Sequence, residues 1–146
     1  MTLNNDPFNL SRFVTAQRAI YERVLKELGS GRKISHWMWF IFPQIDGLGE
    51  SATTKYYSIK TAEEARQYLD HPILGARLVK CAETVLAVEG RSASEIFGFP
   101  DDMKLKSSMT LFASVADSNP VFARVIDKYF NGEKDQKTLD LLGRGV

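Results

Sequence analysis

Apolar residues recur at three- and four-residue steps in one stretch of the chain after another, and that period is the signature of helices packed by one face. The clearest case is Leu74, Leu78, Cys81, Val85 and Val88, which opens after His71-Pro72 and closes at Gly90. Proline suits a first helical turn and glycine a helix stop. Similar spacing relates Phe13, Ile20, Val24 and Leu28 within a helix expected from Ser11 to Leu28, with Gly29 as its left-handed stop. After Pro100 the stripe is Leu105, Met109, Phe112 and Ala116; after Asn119-Pro120 it is Phe122, Val125, Ile126 and Tyr129, ended by Gly132. Thr61 with Glu64, and Ser92 with Glu95, have the spacing of capping boxes and mark two further helix starts. A short Thr138-to-Leu142 segment closes the series, and the only strand candidate is a weak one at Tyr56 to Ile59. The expected fold is all-α, a compact single-domain bundle of about six helical segments, some very short, over residues 1–146 with its core in roughly 8–142.

The bulk numbers agree with one globular unit. Of 146 residues, 44% are hydrophobic and 25% charged, a mixture that supports a core rather than disorder. Nineteen basic against eighteen acidic residues leave a formal charge of +1, too little for general nucleic-acid binding. The single cysteine, Cys81, sits in an apolar helical stripe and is expected as a buried, unreactive thiol, which suits a reducing cytoplasm. The longest fully apolar run, Trp37 to Phe42, is too short to span a membrane, and residues Met1 to Leu10 lack the pattern of a signal peptide. A cytoplasmic protein without membrane contact is expected.

Candidate chemistry gathers in two places. The first is the segment Ser35 to Gln44, "SHWMWFIFPQ", in which Trp37, Trp39, Phe40 and Phe42 would each bury about 150–250 Å². Pro43 disfavours helical backbone at Phe42, so the segment should end in a bend. His36, the two indole N–H groups and Gln44 give the ring cluster a polar margin, which fits either a satisfied core or the wall of a ligand pocket. Gln17 falls inside an apolar helical seam and needs hydrogen-bond partners there, or faces the same pocket. The basic loop Gly29 to Lys33, "GSGRK", offers Arg32 and Lys33 to a phosphate, although Ile34 stands where a P-loop has its hydroxyl residue. Gly47 to Ala52 spells a dinucleotide fingerprint, but no strand precedes it and no helix is expected at Thr53-Thr54. The second place is Asp101, Asp102, Lys104, Lys106, Ser107 and Ser108, where neighbouring acids, lysines and hydroxyls are the right types for proton transfer and for holding an anion, or for dressing a helix start.

Four segments together, "FVTAQRAIYERVLKELGSGRKISHWMWFIFPQIDGLGES", "HPILGARLVKCAE", "IFGFPDDMKLKSSMTLF" and "DKYFNGEKDQKTLDLL", resemble a bacterial family known only as domain of unknown function 1810 from about Phe8 to Leu142. The resemblance implies a compact, mainly helical domain and brings no established reaction. Members are sometimes labelled calpastatin-like, but calpastatin is a disordered repeat protein and this chain has helical stripes and no repeat. The stretch "HPILGARLVKCAETVLAVEG" with "EIFGFPDD" is similar in rhythm to N-glycosidases acting on ADP-ribosyl and related ribosyl-amine substrates, with Phe97-Gly98 in place of that family's Trp-Gly pair.

The resulting expectation is a small-molecule binding domain for a nucleotide-like or sugar-phosphate ligand. Trp37, Trp39 or Phe40 would stack on a ring, Arg32 and Lys33 would meet a phosphate, and His36, Gln44, Gln17, Lys104, Ser107 and Ser108 would supply polar contacts. Any catalysis would be metal-independent hydrolysis of a glycosidic bond with Asp101 or Asp102 as acid or base, since an oxocarbenium-like transition state needs a placed carboxylate and water. No cofactor is expected, and the histidines, cysteine and acids show no metal-ligand spacing. The alternative is a non-catalytic interaction module in which the aromatic segment forms a groove for a peptide or helix.

Overall fold

The computed structural model describes residues 6–116 and 119–144. In chain order their helices are α1 (Ser11–Arg18), α2 (Tyr21–Gly29), α3 (Met38–Ile41), α4 (Ala52–Tyr56), α5 (Ala62–Asp70), α6 (Leu74–Ala87), α7 (Ala93–Phe97), α8 (Asp101–Val115), α9 (Val121–Phe130) and α10 (Gln136–Arg144). The all-α expectation holds, but the described residues form ten helices rather than about six, because elements of one turn are too short to show a periodic stripe. No helix among the described residues is long and apolar enough to cross a membrane.

The two longest helices, α6 and α8, organise the core, and α5 and α9 each pack against both of them. On α6 the stripe Leu74, Leu78, Cys81 and Val85 is buried as its spacing implies, whereas Val88 stands half-buried and extended just past the helix, which ends at Ala87 rather than at Gly90. Burial pushes the Cys81 thiol up to about 12, opposed only by Arg77. On α8 a single stripe understates the burial: every residue from Ser107 to Phe112 is covered, because α9, α5, α7 and α10 surround this helix. Gly75 marks the tightest approach. A methyl group on its Cα would lie 2.0 Å from the carbonyl oxygen of Leu69, where the first turn of α6 presses on the end of α5.

Several expected boundaries move for identifiable reasons. The helix predicted from Ser11 to Leu28 breaks at Ala19-Ile20, which lets α1 pack on α3 while α2 turns toward α6. Gln17, in the seam of α1, donates Nε2 to the Phe40 carbonyl at 2.7 Å and to the Tyr68 hydroxyl at 3.1 Å, and its Oε1 accepts from Arg77 at 3.3 Å. Gly29 stays within α2, and the left-handed residue is Gly31, with φ 77°. The N–H of Arg32 reaches the Glu27 carbonyl and that of Gly31 reaches Leu28, the paired bonds of a Schellman ending.

Ser92 and Glu95 form the complete capping box. Thr61 caps α5 through the Glu64 N–H, but the Glu64 side chain passes over the cap and accepts from Lys60 N at 2.8 Å and from Arg12 Nη2 at 2.8 Å. Arg12 also donates to the carbonyls of Phe8, Asn9, Tyr56 and Ser58, tying α1 to α5 and the preceding loop. The candidate strand at Tyr56 to Ile59 is not formed. Tyr56 ends α4, which Ser51 caps where no helix was expected, and only Ile59 makes an isolated parallel bridge with Ile45.

These contacts predict opposite outcomes for two glycines. Gly75→Ala must displace backbone, and thermal or urea unfolding should show a loss at the upper end of about 1–3 kcal/mol or beyond. Gly29→Ala meets nothing within 4 Å at the end of a helix, and the same measurement should show a gain of about 0.4–1 kcal/mol from the restricted unfolded chain.

Candidate functional site

The Schellman ending of α2 sends the chain back beneath the helix, where the Glu27 carboxylate receives it. Its Oε1 accepts from the N–H groups of Ile34 at 2.8 Å and Ser35 at 3.0 Å and from Trp37 Nε1 at 3.0 Å, while Oε2 accepts from Ser35 Oγ at 2.7 Å. Burial alone would raise the pKa of this acid, but these bonds outweigh it and bring Glu27 down from 4.5 to about 2. A carboxylate that the residue pattern leaves unexplained therefore holds the whole entry to the aromatic segment.

Within that segment the rings part company. Trp37 is only 1% exposed and Phe42 is fully covered, with Phe42 edge-on to Phe97. Phe42 has φ −122° and ψ 74°, the non-helical backbone expected before Pro43. Trp37 thus cannot stack on a ligand, which corrects that part of the expectation. Trp39 and Phe40 are half-buried; the Phe40 ring lies 5.4 Å from that of Tyr57, and the Trp39 ring lies 5.2 Å from the Lys104 ammonium. Gln17, tied to Phe40, Tyr68 and Arg77 and 1% exposed, is a core fastening rather than a pocket group. His36 and Arg32 are exposed on the loop ahead of the rings.

The second cluster is drawn into an ion node. Asp101 Oδ2 lies 2.8 Å from Lys33 Nζ, and Oδ1 lies 3.2 Å from Lys104 Nζ. Burial pulls the Asp101 carboxyl upward, but hydrogen bonding and charge from the two lysines win and hold it below its ordinary 3.8. Asp101 is therefore ionised and doubly engaged, a poor proton donor at neutral pH, and Lys33 is occupied instead of free for phosphate. Lys33 also donates to the Ser35 carbonyl at 2.6 Å. Asp102 accepts from Met103 N–H at 2.8 Å. Ser108 Oγ is fully buried and finds no hydrogen-bond partner among the described residues, so no ligand reaches it in this state.

Three of the sequence candidates do converge. Gln44, Lys104 and Ser107 line a cleft of about 260 Å³ together with Thr54, Asp135 and Lys137, with Leu48, Pro100 and Met103 as apolar wall. The bridge that pairs Ile59 N–H with the Gln44 carbonyl fixes one side. On the other side Asp135 caps α10. Its Oδ2 accepts from the Thr138 N–H at 3.0 Å and hydroxyl at 2.5 Å and lies 3.3 Å from Ser107 Oγ, while its own N–H donates to Thr110 Oγ1. Lys137 is exposed at the mouth and makes no ion pair among the described residues. Neither Asp101 nor Asp102 lines this cleft, nor do Arg32, Lys33, His36 or the four rings. Thr54, Asp135 and Lys137 were not singled out by sequence; the one available signal was Asp135 three residues before Thr138, a helix-cap spacing. No group of three or more His, Cys, Asp or Glu side chains able to hold a metal ion occurs among the described residues.

A family model described as "Protein of unknown function (DUF1810)" matches residues 7–142. The crystal structure at 1.38 Å of the conserved hypothetical protein Rv1873 from Mycobacterium tuberculosis is similar, with a TM-score of 0.93 and 52% identity over 94% of this chain and 99% of that one. No curated protein matches the chain.

Two measurements follow from this geometry. Because the folded pKa of Glu27 lies below its ordinary 4.5, its contribution is complete above that value and is lost as pH falls toward about 2. Glu27→Gln should lose about 2–3 kcal/mol at neutral pH, and its Tm should fall less steeply than the parent's below pH 4.5. Ser108→Ala removes a buried hydroxyl that has no partner, and should leave stability unchanged or raise it by about 1 kcal/mol in the same assay.

Proposed function

This chain belongs to the DUF1810 family of proteins of unknown function, and we propose that it binds a sugar-phosphate-sized anion in the cleft between the start of α8 and the start of α10. The observation that carries the reading is the convergence of Gln44, Lys104, Ser107 and Lys137 on one cavity from three separate parts of the chain. Lys137 supplies positive charge that no acid among the described residues pairs, Lys104 joins it while also paired to Asp101, the Gln44 amide and Thr54 hydroxyl are polar groups of the kind that select sugar oxygens, and Met103 with Leu48 offers an apolar wall. At about 260 Å³ the cleft is smaller than the roughly 300–1,000 Å³ of drug-sized sites. That size favours a single sugar phosphate over a full nucleotide stacked on tryptophan. The reading is one of binding: the carboxylate at the cleft, Asp135, is engaged in capping α10, and no residue is assigned to catalysis.

Titration of the isotope-labelled protein with ribose 5-phosphate and with inorganic phosphate, followed by amide NMR, tests this. A saturable response is expected at Gln44, Lys104, Ser107 and Lys137, and Lys137→Ala should weaken it by about tenfold, the loss of one charge-assisted contact. An unsaturated or scattered response at millimolar ligand, or unchanged affinity in Lys137→Ala, would overturn the proposal.

A further inference from the structure

A second surface lies on the far side of Glu27 from the core. Ile34 is 69% exposed, and its backbone is fixed. The N–H of Ile34 itself donates to Glu27 at 2.8 Å, that of Ser35 does so at 3.0 Å, and Lys33 N–H donates to the Ile96 carbonyl at 2.7 Å. The apolar side chain is thus presented to solvent by an anchored loop. It forms one wall of a groove of about 510 Å³ whose other residues are Arg23, Lys26, Glu27, Ser30 and Ser35.

The exposed charge in this groove is cationic, because the lining acid, Glu27, is only 7% exposed. Arg23 and Lys26 stand three residues apart on α2, so they share one face. Both are exposed, as is Arg32 on the loop beside Ile34, and none of the three makes an ion pair among the described residues. Glu22, next to Arg23 in the chain, pairs with neither cation of α2. Glu27 is the acid among the lining residues, but its two oxygens are turned to the loop N–H groups, Ser35 and Trp37.

We propose that the groove between α2 and the loop at Ile34 and Ser35 docks an acidic peptide segment, with an apolar side chain of the partner against Ile34 and its carboxylates against Arg23 and Lys26. Charge complementarity selects this occupant. A second copy docked by the same face about a two-fold axis would bring the same cations together, and a formal charge of +1 is too small for general attachment to nucleic acid or an anionic membrane. The site is separate from the sugar-phosphate cleft and shares no lining residue with it. It also relocates peptide recognition from the aromatic segment, whose rings are partly or wholly covered, to the loop just before it.

The test uses the full chain and an array of short synthetic peptides alternating Asp or Glu with Leu, Ile or Phe, beside the same peptides with Lys in place of the acids. Binding of acidic members, with amide shifts centred on Arg23, Lys26 and Ile34, is expected. The double variant Arg23→Glu, Lys26→Glu should weaken it by about tenfold or more, and added salt should weaken the parent complex in the same direction. Ile34→Ser, at an exposed position, should keep the parent Tm while reducing affinity. Equal binding of acidic and basic peptides, binding untouched by charge reversal, binding only to phosphatidylserine vesicles, or self-association abolished by Ile34→Ser would each overturn the proposal.

Discussion

One carboxylate sets the path of the chain from α2 into the aromatic segment and, with it, the groove at Ile34. Glu27 takes four hydrogen bonds from the loop and indole that follow α2, and so fixes where the chain goes next. Inward from it, Trp37 is locked into the core and the turn of α3 is placed against α1. Outward from it, Ile34 is held in solvent beside Arg23 and Lys26, which make no ion pair among the described residues. A buried ionised acid is tolerable because each N–H or O–H around it stands in for water, and the depressed pKa is the measure of that substitution.

The ion node at the start of α8 plays a complementary part. Asp101 gathers Lys33 from the loop and Lys104 from its own helix, and those two ammonium groups lie 5.0 and 5.2 Å from the rings of Trp37 and Trp39. The loop, the aromatic segment and the start of α8 are thereby fastened together. Lys104 also lines the cleft with Ser107 and the start of α10, so one residue belongs to both the node and the cleft. Of the two neighbouring acids that sequence offered for proton transfer, Asp101 is a structural clasp, and Asp102 accepts from a main-chain N–H at the start of the helix.

Much of the fold was legible because helical burial repeats itself: the α6 stripe, the α9 stripe and the Ser92–Glu95 capping box are found where their spacing puts them. The break between α1 and α2 was not, since Phe13, Val24 and Leu28 remain in phase with a single helix while the two halves meet different neighbours. The site was harder to read for a related reason. Residue type announces that Trp37 and Trp39 are large, but only the turn that returns the chain under α2 decides that one is sealed and the other is half-open. Glu27 carried no signal, because its partners are main-chain groups created by that same turn. Asp135 and Lys137 lie in a tail whose place beside Gln44 is a matter of tertiary contact, invisible to any local pattern.

Cys81 is the sole sulfhydryl in the chain and lies in the middle of α6 with 1% of its surface exposed. Its thiolate is suppressed by burial, so an alkylating reagent finds neither access nor nucleophile while the helix stays packed. Modification must await an excursion that uncovers the interior, which makes the rate of labelling a direct readout of how often this fold breathes, with no introduced reporter.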